Sequence, residues 1–251
     1  MKYFHYILLL LALTTCTQCD NSDIAAISTT GQGGSLARFT IVGDFLYTLE
    51  PNQLSWYKLA SNGQMTKDGT IPLQDGKETI FPLGDLLFIG ATDGLSIFEI
   101  MENGIPELKG IARHFTSCDP VVANENYAFV TLRQEGCNGL FASTGDRNVL
   151  NIYNINDITA PQLLASYDMA QPRGLGLAGD YLFVCEGDKG LRTLNISDPQ
   201  NVAFLAFKTD IHANDVIVLD DLLLVIGPDN ITQFDYSDPV NLVKISEIVI
   251  E

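Results

Sequence analysis

Five short apolar runs decide the fold of this chain: FLYTL at 45–49, LLFIG at 86–90, YAFVT at 127–131, YLFVC at 181–185 and LLLVI at 222–226. Successive runs begin 41, 41, 54 and 41 residues apart. A fixed period of this length indicates a repeat protein, in which each unit buries its apolar faces against its neighbours. We therefore expect five repeats of about 41 residues, with one long insertion after the third run.

Each repeat contains four segments with the composition of β-strands. In the third segment, two columns of apolar residues recur at the same positions: Leu54, Leu95, Leu150, Leu191 and Ile231, and three residues later Tyr57, Phe98, Tyr153, Leu194 and Phe234. Apolar residues at both odd and even positions are typical of strands that are covered on both faces. Tight hairpins are predicted before the apolar runs by the pairs Gly43-Asp44, Gly84-Asp85, Glu125-Asn126, Gly179-Asp180 and Asp220-Asp221.

Four antiparallel strands repeated at this period predict the blade of a β-propeller, and five repeats lie within the usual range of about four to eight blades. The expected fold is all-β, a five-bladed β-propeller of four-stranded antiparallel blades. Every repeat supplies a full set of strands, so no strand donated from elsewhere in the chain is needed to complete a blade. Pairing of residues 24–28 (IAAIS) with a blade stays open at this point.

The fourth repeat resembles a known family. Residues 181–184 (YLFV) and 189–199 (KGLRTLNISDP) are similar to the LVIVD repeat, whose pattern runs roughly Y-x-Y-V-A and then G-L-x-V-x-D-V-S-D-P. Residues 150–161 (LNIYNINDITAP) and 231–239 (ITQFDYSDP) match this pattern in part. The resemblance implies a β-propeller in a secreted or surface-attached bacterial protein, and it supplies no catalytic residues.

The first 15 residues read as a targeting segment. Residues 7–13 (ILLLLAL) form an apolar run, which is shorter than the roughly 20 residues that cross a bilayer and therefore predicts a signal peptide. The sequence Leu13-Thr14-Thr15-Cys16 resembles a bacterial lipobox, which implies a lipidated Cys16 as the first mature residue. Cleavage of an ordinary signal peptide near the same place is the alternative.

The rest of the chain divides into two parts. Residues 16–34 are polar, small and glycine-rich, which predicts a flexible tether. Residues 35–251 then form the propeller domain. We expect export and anchoring by a lipid to the bacterial cell envelope, at the outer membrane.

Composition excludes several classes of partner. The net charge of −17 and the pI near 4.3 argue against nucleic acid, which requires a basic face, and against docking on anionic lipid. Outside the signal peptide the histidines are His114 and His212, and neither belongs to a spaced metal-ligand pair. No phosphate-binding loop, dinucleotide fingerprint or nucleophile elbow is present, so we expect no cofactor, no metal and a monomer.

The starts of the five first strands are expected to converge at one mouth of the propeller channel. Alignment on the apolar runs places there a ring of mixed charge that consists of Arg38, Glu78, Asp119, Arg173 and Asp215. We interpret this ring as a candidate binding site. A generally wet and polar channel mouth is the alternative.

The long insertion emerges at the same end of the channel. Residues 133–147 include Arg133 and Phe141 as candidate contact residues, because long loops on a rigid scaffold often carry binding groups. Folding of Phe141 back onto the loop is the alternative. Cys118 and Cys137 are expected near each other and, in an exported protein, in a disulfide; Cys185 within a strand is expected to be a buried, inert thiol.

Two functions from different classes fit these features. The first is a non-catalytic binding module, a lipoprotein whose mouth and insertion hold an envelope protein or a glycan. The second is a glycoside hydrolase, because Glu78, Asp119 and Asp215 come from three blades and glycosidic hydrolysis needs two carboxylates that flank the scissile bond. The single tryptophan, Trp56, is predicted within a third strand, which leaves little for stacking on sugars.

The disulfide is directly testable. Closing the loop between Cys118 and Cys137 is expected to stabilise the fold by about 3 kcal/mol through loss of chain entropy in the unfolded state. Mass spectrometry of peptides from the non-reduced protein should recover these two residues in one cross-linked species. Recovery of both as free thiols contradicts the assignment.

Overall fold

The computed structural model describes residues 33–114, 120–133 and 148–250, and within these ranges all regular structure is β. Twenty strands form five sheets of four strands each. The five sheets are the blades of a β-propeller, as the repeat period predicts. The described ranges include no helix long and apolar enough to cross a membrane.

The strands are named in chain order, four to a blade. Blade 1 consists of β1 (Phe39–Val42), β2 (Phe45–Glu50), β3 (Gln53–Leu59) and β4 (Met65–Pro72). Blade 2 consists of β5 (Lys77–Leu83), β6 (Leu86–Ala91), β7 (Gly94–Ile100) and β8 (Pro106–Arg113). Blade 3 consists of β9 (Val121–Ala123), β10 (Tyr127–Leu132), β11 (Val149–Asn154) and β12 (Gln162–Asp168). Blade 4 consists of β13 (Leu175–Ala178), β14 (Tyr181–Cys185), β15 (Leu191–Asn195) and β16 (Ala203–Lys208). Blade 5 consists of β17 (Asp215–Leu219), β18 (Leu222–Ile226), β19 (Asn230–Asp235) and β20 (Val243–Val249).

Every blade is built from consecutive strands that pair antiparallel with their chain neighbours. The prediction that no blade borrows a strand is therefore confirmed for the described residues. The first hairpin of three blades turns at a glycine with φ of 55°, at Gly43, Gly84 and Gly179. Blade 5 uses Asp220 with φ of 43° at the same place, in agreement with the tolerance of aspartate for left-handed backbone.

One β-bulge recurs in all five blades. The register of the third and fourth strands shifts after the same position of the third strand: between Trp56 and Tyr57, Ile97 and Phe98, Ile152 and Tyr153, Thr193 and Leu194, and Gln233 and Phe234. A bulge increases local twist and bends the strand that carries it. Because the fourth strand is the outer edge of each blade, this twist also makes edge-to-edge pairing less favourable.

The turns after the third strands of blades 4 and 5 contain the Asp-Pro pairs Asp198-Pro199 and Asp238-Pro239. Asp198 accepts hydrogen bonds from the Gln200 amide at 3.0 Å and from Asn201 Nδ2 at 2.8 Å. Asp238 accepts the equivalent bonds from the Val240 amide and Asn241. The bonds from the asparagine side chain and the backbone lower the pKa of each carboxyl below its ordinary value. These turns are therefore held by ionised aspartates.

Neighbouring blades pack through one aromatic side chain each. We call the side of a blade toward the preceding blade its upstream face and the other side its downstream face. The downstream face of the first four blades carries a fully buried aromatic residue at the third position of the apolar run, namely Tyr47, Phe88, Phe129 and Phe183. Burial of such a side chain stabilises a fold by about 1.5–3 kcal/mol.

Each of these aromatic residues packs against apolar side chains on the upstream face of the next blade. At the second position of the run, the upstream faces of blades 2 to 5 place a side chain that is 0% exposed: Leu87, Ala128, Leu182 and Leu223. Four buried apolar clusters result, one between each successive pair of blades from 1–2 to 4–5. These clusters pack the neighbouring blades against one another.

The junction between blade 5 and blade 1 differs from the other four. Phe39 on the upstream face of blade 1 is 62% exposed, whereas the residues at this position in the other blades are 1, 0, 0 and 1% exposed: Ile80, Val121, Leu175 and Val216. On the downstream face of blade 5, Leu224 replaces the aromatic residue and is half-buried, and Ile248 is 65% exposed. Within the described ranges no buried apolar cluster joins these two blades.

Because the junctions differ, replacing leucine by alanine at the second position of the apolar run should destabilise the protein to different extents in different blades. Leu87→Ala and Leu182→Ala should each lower the free energy of unfolding by about 2–5 kcal/mol, because both side chains are fully buried. Leu46→Ala should lower it by about 1 kcal/mol, because the half-buried Leu46 lies on the unsealed upstream face of blade 1. Urea titrations of the three variants measure this, and equal losses would contradict the described junction.

Candidate functional site

The connections that lead into first strands and those between second and third strands lie at the same end of the propeller, which we call the mouth. Their backbones are joined between blades. The Lys77 amide donates to the Pro51 carbonyl at 3.0 Å. Gly187 and Ala213 exchange two backbone hydrogen bonds of 2.8 and 2.9 Å. The mouth is thus a rigid surface to which several blades contribute, as the sequence predicted.

Asp215 is a buried acidic residue at the mouth whose carboxylate accepts three hydrogen bonds. It begins β17 and is 6% exposed. Its Oδ1 accepts hydrogen bonds from Ser35 Oγ and from its neighbour Val216, both at 3.0 Å, and its Oδ2 accepts one from the Leu36 amide at 3.3 Å. The carboxylate therefore binds the segment that precedes β1.

Two glycines make room for this carboxylate. A Cβ atom at Gly34 would lie 2.1 Å from Asp215 Oδ2, and one at Gly174 would lie 2.0 Å from Oδ1. Real side chains do not reach such distances, so only glycine fits at both positions. The backbone on either side consequently closes directly over Asp215.

Ser35 extends the contact to a second blade. Its hydroxyl oxygen accepts a hydrogen bond from the Leu175 amide in blade 4 at 2.8 Å while it donates to Asp215 in blade 5. Two residues later, the Ala37 carbonyl accepts from the Ile80 amide in blade 2 at 2.9 Å. Residues 34–37 therefore cross the mouth and tie blade 1 to blades 2, 4 and 5.

Burial governs the protonation of this site. Desolvation raises the pKa of Asp215 above its ordinary value, and hydrogen bonds from Val216, Ser35 and Leu36 oppose the rise. The fully buried thiol of Cys185 has its pKa raised by burial and then by the Asp215 charge, against a smaller lowering by Arg173. Cys185 is therefore the unreactive free thiol that its place within β14 predicted.

Arg173 lies beside Asp215, on the other side of Gly174. It is half-buried, and its Nε has no hydrogen-bond partner among the described residues. That Nε lies 2.7 Å from where a Cβ at Gly187 would stand, so Gly187, with φ of 58°, allows the guanidinium to approach. The Arg173 carbonyl accepts from Thr131 Oγ1 at 2.6 Å, which fixes the backbone of this residue.

The structure adds a buried ion pair that sequence reasoning missed. Glu186 is fully buried, pairs with Arg192, and accepts the Ala170 amide at 3.0 Å. The guanidinium of Arg192 lies over the rings of Phe207 and Phe204, with 4.9 and 5.4 Å to the ring centroids. The only sequence signal was an acidic residue directly after the buried run 181–185, and this did not reveal its burial.

A second buried cation at the mouth was also missed. The Lys77 side chain is 7% exposed, and its Nζ lies 3.6 Å from Asp93 Oδ1. Asp93 also accepts Arg113 at 3.5 Å. The register of β5 and β6 shifts between Lys77 and Thr79. The regular spacing assumed in the sequence therefore selected Glu78 and not the neighbouring Lys77.

The other residues predicted for the site lie in different environments. Arg38 is exposed in front of β1, Glu78 is half-buried within β5, and Arg133 is half-buried directly after β10. Asp119, Phe141, Cys118, Cys137 and Cys16 lie outside the described residues, so their roles stay predictions. Across the described ranges no three histidine, cysteine or acidic side chains group as metal ligands. Of the predicted ring, the structure brings Arg173 and Asp215 together around Gly174.

The glycosidase hypothesis required two facing carboxylates. Of the three candidates, Asp215 is buried and occupied by Ser35 and Leu36, and Glu78 is half-buried. Trp56 is 6% exposed within β3, so it offers no open stacking surface.

Comparison with known proteins supports the fold. No protein-family model and no curated protein matches the chain. A solved protein of Lactobacillus plantarum is similar at 16% identity and a TM-score of 0.60, over 82% of this chain and 68% of that chain. The periplasmic gluconolactonase of Pseudomonas aeruginosa is similar at 13% identity and a TM-score of 0.61, over 85 and 68%.

A third similar structure is apo AztD of Citrobacter koseri, at 12% identity and a TM-score of 0.55 over 87% of this chain and 60% of that chain. At these identities the likeness establishes the propeller fold and no activity. The chain spans 60–68% of the lengths of these three proteins.

The Asp215 contact predicts a pH-dependent loss of stability. Asp215→Ala should lower the free energy of unfolding by about 1–3 kcal/mol, because Ser35 and Leu36 lose their buried acceptor. Since the folded pKa is raised, the folded state holds the Asp215 proton more tightly than the unfolded state. The wild-type contribution is therefore largest below the unfolded pKa of about 3.9 and declines as pH rises through the folded pKa.

Chemical denaturation of wild-type and Asp215→Ala protein between acidic and neutral pH measures this difference. Asp210→Ala is the matched control, because Asp210 lies on the same connection but is 72% exposed, so its loss should stay within about 0.5 kcal/mol. A loss for Asp215→Ala that grows toward neutral pH would contradict the assignment.

Proposed function

We propose that the chain is a non-catalytic binding module, anchored by a lipid on Cys16 to the bacterial cell envelope, whose mouth holds an envelope protein or a glycan. The anchor rests on the lipobox-like sequence before Cys16 and on the resemblance to the LVIVD repeat. The tether of residues 16–34 gives the domain reach from the membrane.

The observation that carries the binding role is the partly exposed cation at the mouth. Gly187 leaves room for the Arg173 side chain, and Thr131 binds the Arg173 main-chain carbonyl. A guanidinium makes strong hydrogen bonds to carboxylate or hydroxyl oxygens. Both groups are abundant on proteins and on envelope glycans.

The neighbourhood of Arg173 favours binding over chemistry. Asp215 is engaged by the segment before β1, Glu186 by Arg192 and two backbone amides, and Cys185 is fully buried with a raised pKa. The acids and the thiol near this cation therefore have structural partners or no access to solvent. These described groups support a recognition surface at the mouth.

The test uses the purified full chain on arrays of bacterial envelope glycans and on immobilised envelope proteins. Arg173→Gln should weaken binding by about 10- to 100-fold, which corresponds to loss of a hydrogen bond to a charged group. Lys58→Gln should leave binding unchanged, because the exposed Lys58 pairs with Phe45 at the end opposite the mouth. Equal binding by both variants would contradict a mouth-centred site.

A further inference from the structure

Among the described residues, the junction between blade 5 and blade 1 leaves two complementary apolar faces without a partner. The upstream face of blade 1 presents Phe39, Ile41, Leu46, Thr48 and Tyr57. The downstream face of blade 5 presents Ile217, Leu224, Ile226, Ile231 and Ile248. Every one of these side chains is half-buried or exposed.

Their counterparts in the other blades are buried. Ile226 corresponds to Leu49, Gly90, Thr131 and Cys185, all of which are buried. Ile231 is the one half-buried member of its column, in which Leu54, Leu95, Leu150 and Leu191 are 0% exposed. Tyr57 is likewise the one half-buried member of the other column. The two deviating columns thus identify the same junction from both sides.

In place of the monomer expected from the sequence, we propose that these faces bind a second copy of this chain head to tail, with the downstream face of blade 5 of one copy on the upstream face of blade 1 of the other. The argument is continuity with an interface that the chain already forms four times. In each of those junctions a downstream face packs on an upstream face through the same repeat positions. Another copy carries the required upstream face.

Local charge does not exclude this contact, although the chain carries a net charge of −17. On the upstream face the charged groups are Lys67, which lies 6.0 Å from the centroid of the Tyr57 ring, and Glu50, which follows Leu46 and Thr48 on the same side of β2. On the downstream face Asp235 lies at the end of β19. Lys67 and Asp235 have opposite sign, and repulsion among the remaining charges is screened over about 8–10 Å at physiological ionic strength.

Within the described ranges, no other part of the chain covers these faces completely. Residues 34–36 fill the junction near the axis, where Ser35 and Leu36 bind Asp215. Phe39 on the first strand of blade 1 and Ile248 on the fourth strand of blade 5 stay open to solvent. A contact of this kind is heterologous, so two copies either close around a two-fold axis or leave one face free for a further copy.

A mixing experiment tests the proposal. Phe39→Asp removes the upstream face only and Ile248→Asp the downstream face only; both residues are more than half exposed, so folding is spared. Sedimentation of the full chain carrying Cys16→Ser, which keeps it free of lipid, should show association at micromolar concentration. Each variant alone should raise the dissociation constant by at least about 100-fold.

An equimolar mixture of the two variants should restore a dimer, because one intact face of each kind remains. Leu163→Asp is the matched control, since Leu163 is 56% exposed on the outer strand of blade 3, and it should associate like wild type. A wild-type monomer at all concentrations overturns the proposal, as does a mixture that stays monomeric. Cross-linking of residues 16–32 to these faces within one monomer would assign them to the chain's own N-terminal segment and also overturn it.

Discussion

The packing of one aromatic side chain from each of blades 1 to 4 against the next blade is the interaction on which the rest of the structure depends. Tyr47, Phe88, Phe129 and Phe183 occupy one repeat position and are fully buried. Each packs against apolar side chains of the next blade, and apolar burial of this kind is the main favourable term in folding. Because these contacts set the angle between blades, they also set which residues meet at the mouth.

The mouth and the open junction follow from the same arrangement. Four sealed junctions bring blades 4 and 5 to the point where residues 34–37 cross, and Asp215 then ties this segment to blade 5. Gly34 and Gly174 let the Asp215 carboxylate approach the backbone, and Gly187 does the same for the Arg173 side chain. The residue proposed for ligand recognition therefore lies next to the residues that join blade 1 to blade 5.

Sequence periodicity predicted the blades because the relevant forces are local. The hairpins at Gly43, Gly84 and Gly179 and the turns at Asp198 and Asp238 depend on residues within a few positions of one another. The columns that contain Leu95 and Phe98 predicted strands covered on both faces, and both residues are buried.

The features that escaped prediction depend on contacts far apart in the chain. Ser35 and Asp215 are separated by 180 residues, and the burial of Glu186 depends on Ala170, Gln171 and Arg192 together. The open junction had a visible signal, since Leu224 stands where four blades have an aromatic residue and Thr48 where four have an aliphatic one. These two residues indicate an open junction only when it is known that they lie on faces directed toward each other.

The central claim is that the described residues seal four junctions between blades and leave the fifth open. Rates of maleimide labelling at Phe39→Cys and Ile80→Cys test it most directly, because the two positions are equivalent in blades 1 and 2 and are 62 and 1% exposed. Dilute protein keeps the faces free, and the unsubstituted chain corrects for native thiols. The account predicts that the thiol at position 39 reacts at least about 100-fold faster; equal protection of both thiols would contradict it.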